Sequence, residues 1–214
     1  MNLKINPKVA VNLILLIGVF LFINGCGDNN KNYTPIGKDA VILAFGDSLT
    51  YGTGTSKEFS YPTVLERLTG NKVINEGIPG EITSKGLQRL PALLHKYQPQ
   101  LLILIHGGND ILRKIPSTTT AENLKSMITM AKQRDVQVVM LGVPSFNILS
   151  LQSATYYDEI AKSADVPINL DILPEIIRDN KLKSDRIHPN REGYQIMAEA
   201  VYQLLTDSNL VLKP

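Results

Sequence analysis

Three short runs place chemically useful side chains where apolar stretches end. In Phe45-Gly46-Asp47-Ser48-Leu49 a serine sits in a tight turn directly after a run with the character of a buried strand, a position where its hydroxyl could stand exposed as a nucleophile. A serine there can equally do no more than cap the next helix. In His106-Gly107-Gly108-Asn109-Asp110 two glycines allow the chain to turn sharply beyond another apolar run. In Asp185-Arg186-Ile187-His188-Pro189 an acid and an imidazole lie three residues apart, close enough to hydrogen-bond within one turn, which supplies a base and its orienting partner. A His-Pro pair standing alone would be an ordinary loop. The Gly-x-Ser-x-Gly nucleophile elbow is absent, so a nucleophilic Ser48 requires a different fold around it.

The elements that must position these groups follow from hydrophobic patterning. Apolar runs at Ala40–Phe45, Lys72–Asn75, Leu101–Ile105, Val136–Val143 and Val166–Leu170 are largely apolar at consecutive positions, as expected of strands buried on both faces of a parallel sheet. Helical patterns lie between them. Ser60 is placed to cap a helix with Pro62 in its first turn and a stop at Gly70. Thr119-x-x-Glu122 reads as a capping box, and Asn190 as the cap of a last helix whose apolar face includes Ile196, Met197, Ala200, Val201, Leu204 and Leu205. Leu87, Leu90 and Leu94 share one face, but Pro91 interrupts it, which predicts a kink or two short helices. Five strands alternating with helices predict an α/β fold, a three-layer α/β/α sandwich around a flavodoxin-like parallel five-stranded sheet, with the site beyond the carboxyl ends of the strands.

Four blocks occur in fixed order: Gly46-Asp47-Ser48-Leu49, Asn75-Glu76-Gly77-Ile78-Pro79-Gly80, Gly107-Gly108-Asn109-Asp110 and Asp185-x-x-His188-Pro189. Together they resemble the GDSL, or SGNH, hydrolase family across roughly residues 40 to 205. Arg89-Leu90-Pro91 and Gly107 to Arg113 are most similar to its thioesterase, lysophospholipase and arylesterase branch. The resemblance implies a catalytic triad of Ser48 as nucleophile, His188 as base and Asp185 as orienting acid. It also implies an oxyanion hole of the Ser48 and Gly80 backbone N–H groups and the Asn109 side-chain amide. Gly80, not Gly77, is the match, because it stands five residues after Asn75. The implied activity is hydrolysis of acyl esters or thioesters, lysophospholipids included, through an acyl-enzyme and with no cofactor. The alternatives are deacetylation of cell-envelope carbohydrate and a catalytically silent module binding lipid or glycan. Glu81 departs from the smaller or shorter residue that relatives often carry, which suggests altered chemistry at the entrance. His106, just before the Gly-Gly pair, is assigned no role here and reads as a partly buried, hydrogen-bonded imidazole.

A metal-dependent phosphoesterase needs several metal-binding histidines, whereas this chain has only His95, His106 and His188, with His95 expected on a helix surface; no metal site is expected. Gly52-Thr53-Gly54-Thr55-Ser56-Lys57 lacks the spacing of a phosphate loop and reads as a mobile loop beside Ser48. Residues 144–154 are expected to overhang the strand ends, where Phe146, Ile148 and Leu149, with Leu151, could wall an acyl pocket. They suit packing beneath a loop equally well.

The chain's 43% hydrophobic content over 214 residues is enough to fill the core of one domain, and its 15 Gly and 12 Pro show no repeat. Lys4 and Lys8 precede an apolar stretch, Val9 to Ile23, that is short of the roughly 20 residues a membrane-spanning helix needs. The following Ile23-Asn24-Gly25-Cys26 resembles a bacterial lipoprotein lipobox, so residues 1–25 are expected to be a signal peptide and Cys26 the lipidation site. More than one acyl chain there would give stable membrane attachment. Gly27 after the cysteine points to the outer membrane if the organism is Gram-negative. Cys26 is the sole cysteine, so no intrachain disulfide can form. Residues 26–38 are expected to be the lipidated Cys and a flexible tether, with the hydrolase domain at 39–214. The formal charge of +2 comes from Lys4 and Lys8, leaving the chain from Cys26 onward neutral and without a footprint for nucleic acid.

Overall fold

The structure, a computed structural model, describes residues 33–147 and 150–212. Its strands are β1 (Val41–Gly46), β2 (Lys72–Gly77), β3 (Leu101–Ile105), β4 (Gln137–Leu141), β5 (Pro144–Asn147), β6 (Ser150–Ser153) and β7 (Ile168–Asn169). Five of them form one parallel sheet in the order β2-β1-β3-β4-β7, the flavodoxin-like arrangement. Leu101 to Ile105 are buried without exception, and so are Ile42 to Phe45. Their continuous apolar character is the sequence's record of a sheet covered on both faces.

The helices are α1 (Ser48–Tyr51), α2 (Tyr61–Thr69), α3 (Thr83–Tyr97), α4 (Gly108–Leu112), α5 (Ser117–Lys132), α6 (Tyr156–Ala164), α7 (Ile172–Arg178) and α8 (Arg191–Asp207). They form two packed groups, α3 with α5 and α6, and α2 with α8 and α7, and these flank the sheet. Asn190 caps α8, its side chain accepting from the Gly193 N–H at 3.0 Å. Ser60 occupies the N-cap of α2, but its hydroxyl donates to the Lys57 carbonyl at 2.8 Å and makes no capping bond.

Three expectations need correction. Helix α3 continues through Pro91 and does not split into two short helices, because Leu90 and Leu94 on either side are buried in the core and hold the two turns together across the missing N–H. The Thr119 capping box does not form. Pro116, extended at ψ 131, is the N-cap, so α5 begins at Ser117 and Thr119 lies inside its first turn. Where a loop was expected, β5 and β6 pair as antiparallel strands, with Phe146 opposite Leu151. The sequence Ile148-Leu149 contains no Gly or Asn, so nothing in it signals two paired strands. Ahead of β1, residues 33–38 are hydrogen-bonded to distant segments of the chain. Gln137, at the start of β4, uses both ends of its amide on Thr34, accepting from N–H at 3.0 Å and donating to the carbonyl at 2.6 Å. Ile36 N–H reaches the Leu210 carbonyl, and Tyr33 Oη the Asp165 carbonyl. Residues 33–38 therefore pack with the rest of the described chain, while residues 1–25, expected to be a signal peptide, and Cys26 lie outside the described residues.

Gly46 closes β1 where the backbone turns toward Ser48. A Cβ placed there would stand 2.0 Å from the Ile105 carbonyl oxygen, a backbone atom of β3 that cannot move aside. Gly46→Ala is expected to destabilise the fold by at least about 2 kcal/mol, read as a lowered urea midpoint at unchanged m-value.

Candidate active site

The carboxyl ends of β1, β2 and β3 are level with one another: Gly46 pairs with Gly77 on one side and with Ile105 on the other. The loops leaving these ends carry Ser48, Gly80 and Asn109, and the segment before α8 brings His188 over them. Ser48 opens the single-turn helix α1 and is partly exposed. Asp47 caps that helix, its Oδ1 accepting from Leu49 N–H at 3.1 Å, and Gly52 ends it in the left-handed region at φ 95.

His188 and Asp185 meet as their spacing implies. His188 Nδ1 lies 2.7 Å from Asp185 Oδ2, and His188 Nε2 lies 3.0 Å from Ser48 Oγ. Because an ionised carboxylate only accepts, the proton between the first pair belongs to Nδ1. Nε2 is then left with a lone pair for the serine hydroxyl. The other Asp185 oxygen accepts from the Ile187 and His188 N–H groups, both at 2.9 Å, so the acid is held by its own loop. Burial alone would raise its pKa, but these N–H donors and the imidazole outweigh that and lower it. Pro189 forms an isolated antiparallel bridge with Lys183, and Tyr194 of α8 donates to the Thr53 carbonyl at 2.9 Å, fastening the His188 segment beside the loop after Ser48.

Asn109 stands at the second position of α4, after a turn that Gly107 makes at φ 110. A side chain at Gly107 would also meet Tyr157 Oη at 2.6 Å, so both backbone and space call for glycine. One Asn109 Nδ2–H donates to Asp47 Oδ2 at 3.1 Å. The other has no hydrogen-bond acceptor among the described residues. Gly80 follows β2 at φ 78 with a bare backbone, and Arg113 holds its carbonyl at 2.9 Å.

Beside Ser48 and His188 opens a cleft of about 260 Å³, walled on its apolar side by Pro79, Leu112, Val143, Ile177 and Ile187. The sequence also pointed to Phe146, Ile148 and Leu149 as pocket residues. Phe146 is in β5, whereas Ile148 and Leu149 lie outside the described residues. Sequence reasoning also missed Asp47 as the group that orients Asn109, although Asp47 stands beside Ser48. Glu81 is not at the entrance. It is buried behind Gly80, bound to Arg89 Nε at 2.8 and 3.0 Å and to His106 Nε2 at 3.1 Å. His106 is fully buried, and His95 is exposed on α3. Among the described residues no three His, Cys, Asp or Glu side chains stand close enough to share a metal ion.

Asp47 is buried at 2% exposure, and desolvation raises its pKa against the opposing hydrogen bonds from Leu49 N–H and Asn109. A carboxyl raised on folding costs no stability while protonated in both states, and costs progressively more as pH climbs from the unfolded value near 4 through the folded one. The urea midpoint of Asp47→Asn relative to wild type is therefore expected to shift in favour of the variant between pH 4 and pH 8. An unchanged difference across that range would contradict the assignment.

The GDSL-like lipase/acylhydrolase family matches residues 44–196, which takes in all four motifs. Similar proteins include the Escherichia coli thioesterase 1/protease 1/lysophospholipase L1, 30% identical over 165 residues that cover 74% of this chain and 79% of that one. They also include the arylesterase of Vibrio mimicus, 32% identical over 176 residues covering 77% and 87%. The crystal structure of TesA shares the fold with a TM-score of 0.71 at 24% identity, over 78% of this chain and 99% of that one. A family match across most of the chain, with its four motifs brought together at the carboxyl edge of one parallel sheet, places this protein in the GDSL-like lipase/acylhydrolase family, among the SGNH hydrolases of ester bonds.

Proposed function

We propose that the chain is a serine esterase for acyl esters or thioesters, working through a Ser48–His188–Asp185 triad and an acyl-enzyme. The observation that carries this is the unbroken path from Ser48 Oγ through both imidazole nitrogens to Asp185, at 3.0 and 2.7 Å. Ser48 Oγ bonds to the acyl carbon as its proton passes to His188 Nε2. The carbonyl oxygen becomes an oxyanion facing the Ser48 and Gly80 N–H groups and the free amide hydrogen of Asn109. Collapse breaks the bond to the alcohol or thiol, which leaves with the proton from His188. Water then repeats the cycle on the acyl-enzyme, releasing the acid and restoring Ser48. Asp185 keeps the imidazole in the correct tautomer and stabilises its transient charge.

The apolar wall of the cleft suits an acyl chain longer than acetyl and so favours acyl esters over carbohydrate acetates. The names of the relatives, a thioesterase and lysophospholipase and an arylesterase, point the same way. Attachment to the bacterial envelope through lipid on Cys26 belongs to the same proposal, supported by the sequence Ile23-Asn24-Gly25-Cys26.

Hydrolysis of p-nitrophenyl esters from acetate to palmitate is expected to peak beyond acetate and to vanish in Ser48→Ala. Stoichiometric labelling by a fluorophosphonate is expected to disappear in the same variant, and no labelling of wild type would instead indicate a binding module. Asn109→Ala is expected to lower kcat by about a hundred- to a thousandfold. In a bacterial host fed an alkyne fatty acid, the full chain should acquire the label and Cys26→Ala should not.

A further inference from the structure

The triad and the proposed oxyanion donors make no use of a buried cluster formed by Glu81, Arg89 and His106. It sits directly behind the donors, and the inference drawn from it rests on the oxyanion hole proposed above. Glu81 is the residue after Gly80, and His106 is three residues before Asn109. Arg89, from α3, binds the Glu81 carboxylate through Nε and Nη2 and donates from Nη2 to the Glu76 carbonyl at 2.8 Å and the Gly46 carbonyl at 3.3 Å. Its guanidinium lies 4.2 Å from the centre of the Phe45 ring. One side chain therefore fastens the ends of β1 and β2 to the residue beside Gly80.

His106 extends the connection to β3. Its Nδ1 accepts from the Gly107 N–H at 3.0 Å, so that nitrogen carries no proton. The proton is on Nε2, which donates to Glu81 Oε2 at 3.1 Å. Tyr157 Oη donates to the His106 carbonyl at 2.7 Å, fixing the backbone immediately before the Gly107 turn. The site is built for this ring: a Cβ on Gly86 of α3 would come within 2.5 Å of Nε2. Burial by itself would raise the Glu81 pKa, but the hydrogen bonds from His106 and Arg89 reverse that and keep the carboxylate ionised. A charged acceptor makes the His106 bond stronger than a neutral pair would.

We propose that the Glu81–His106 hydrogen bond is a positioning device that sets the spacing between the Gly80 N–H and the Asn109 amide, with neither residue touching substrate. Donors displaced by a fraction of an ångström still admit the ground-state ester but stabilise the oxyanion less well, so the loss falls on kcat.

The test is a double-mutant cycle on the full domain with a soluble p-nitrophenyl ester. Glu81→Gln can keep an oxygen on Arg89 but turns an N–H toward the Nε2–H of His106. His106→Asn keeps an acceptor for Gly107 and removes the donor to Glu81. Each is expected to lower kcat by about 10- to 100-fold with KM within about twofold, and the double variant to lose no more than the weaker single. His106→Gln, which restores a donor near the Nε2 position, should recover part of the loss relative to His106→Asn. Wild-type kcat in folded Glu81→Gln, losses that multiply in the double variant, or losses that only track a fall in Tm would each overturn the proposal. Should His106→Asn fail to fold, kcat of Glu81→Gln decides by itself. Ser48→Ala run in parallel separates the two levels. Retained activity there overturns the triad and this proposal together, whereas an inactive Ser48→Ala beside a fully active Glu81→Gln overturns positioning alone.

Discussion

The parallel pairing of β1 with β2 on one side and β3 on the other is the constraint from which the site follows. Parallel hydrogen bonding makes the three strands end at one edge, and the register brings Gly46, Gly77 and Ile105 level. The loops that leave β1 and β3 turn within a residue or two to reach the next helix, and the one that leaves β2 reaches α3 after residues 78–82. The residues in those turns are thus forced into one another's company. The local requirements differ. Gly46 is needed because β3 is too close for a side chain, and Gly107 because the turn is left-handed and Tyr157 fills the space.

Asp47 shows how the fold sets stability against function. A carboxylate at 2% exposure is expensive, and its raised pKa records that expense. In return the same carboxyl caps α1 and holds Asn109, so the helix that presents Ser48 and the amide proposed for the oxyanion are aligned by one group. Asp185 occupies the opposite regime. Its side chain is half exposed and satisfied by N–H groups of its own loop, so its charge is held cheaply while it orients His188.

Behind these two acids lies a third, Glu81, whose charge is balanced inside the protein by Arg89. Breaking one partner of such a buried pair leaves an uncompensated group, so its members stand or fall as a unit. Polar groups at this edge of the sheet are paired to one another across loops that are far apart in the chain.

The strands of the sheet were legible because a run apolar at consecutive positions has few other places to go, and β1, β2 and β3 lie within two residues of the runs that announce them. Asp185 and His188 were legible because residues three apart in a turn can meet whatever the rest of the chain does. The β5–β6 pairing was not, since nothing in Ile148-Leu149 signals it, nor was the docking of residues 33–38, which depends on Gln137 about a hundred positions away. The cleft walls at Val143, Ile177 and Ile187 and the Glu81–His106 contact were decided only by tertiary structure. Local periodicity states which face of an element is buried, but it carries no record of which distant element will cover it. The sequence by itself determined the chemistry available at the edge of the sheet, and the packing of remote segments decided its shape and its alignment.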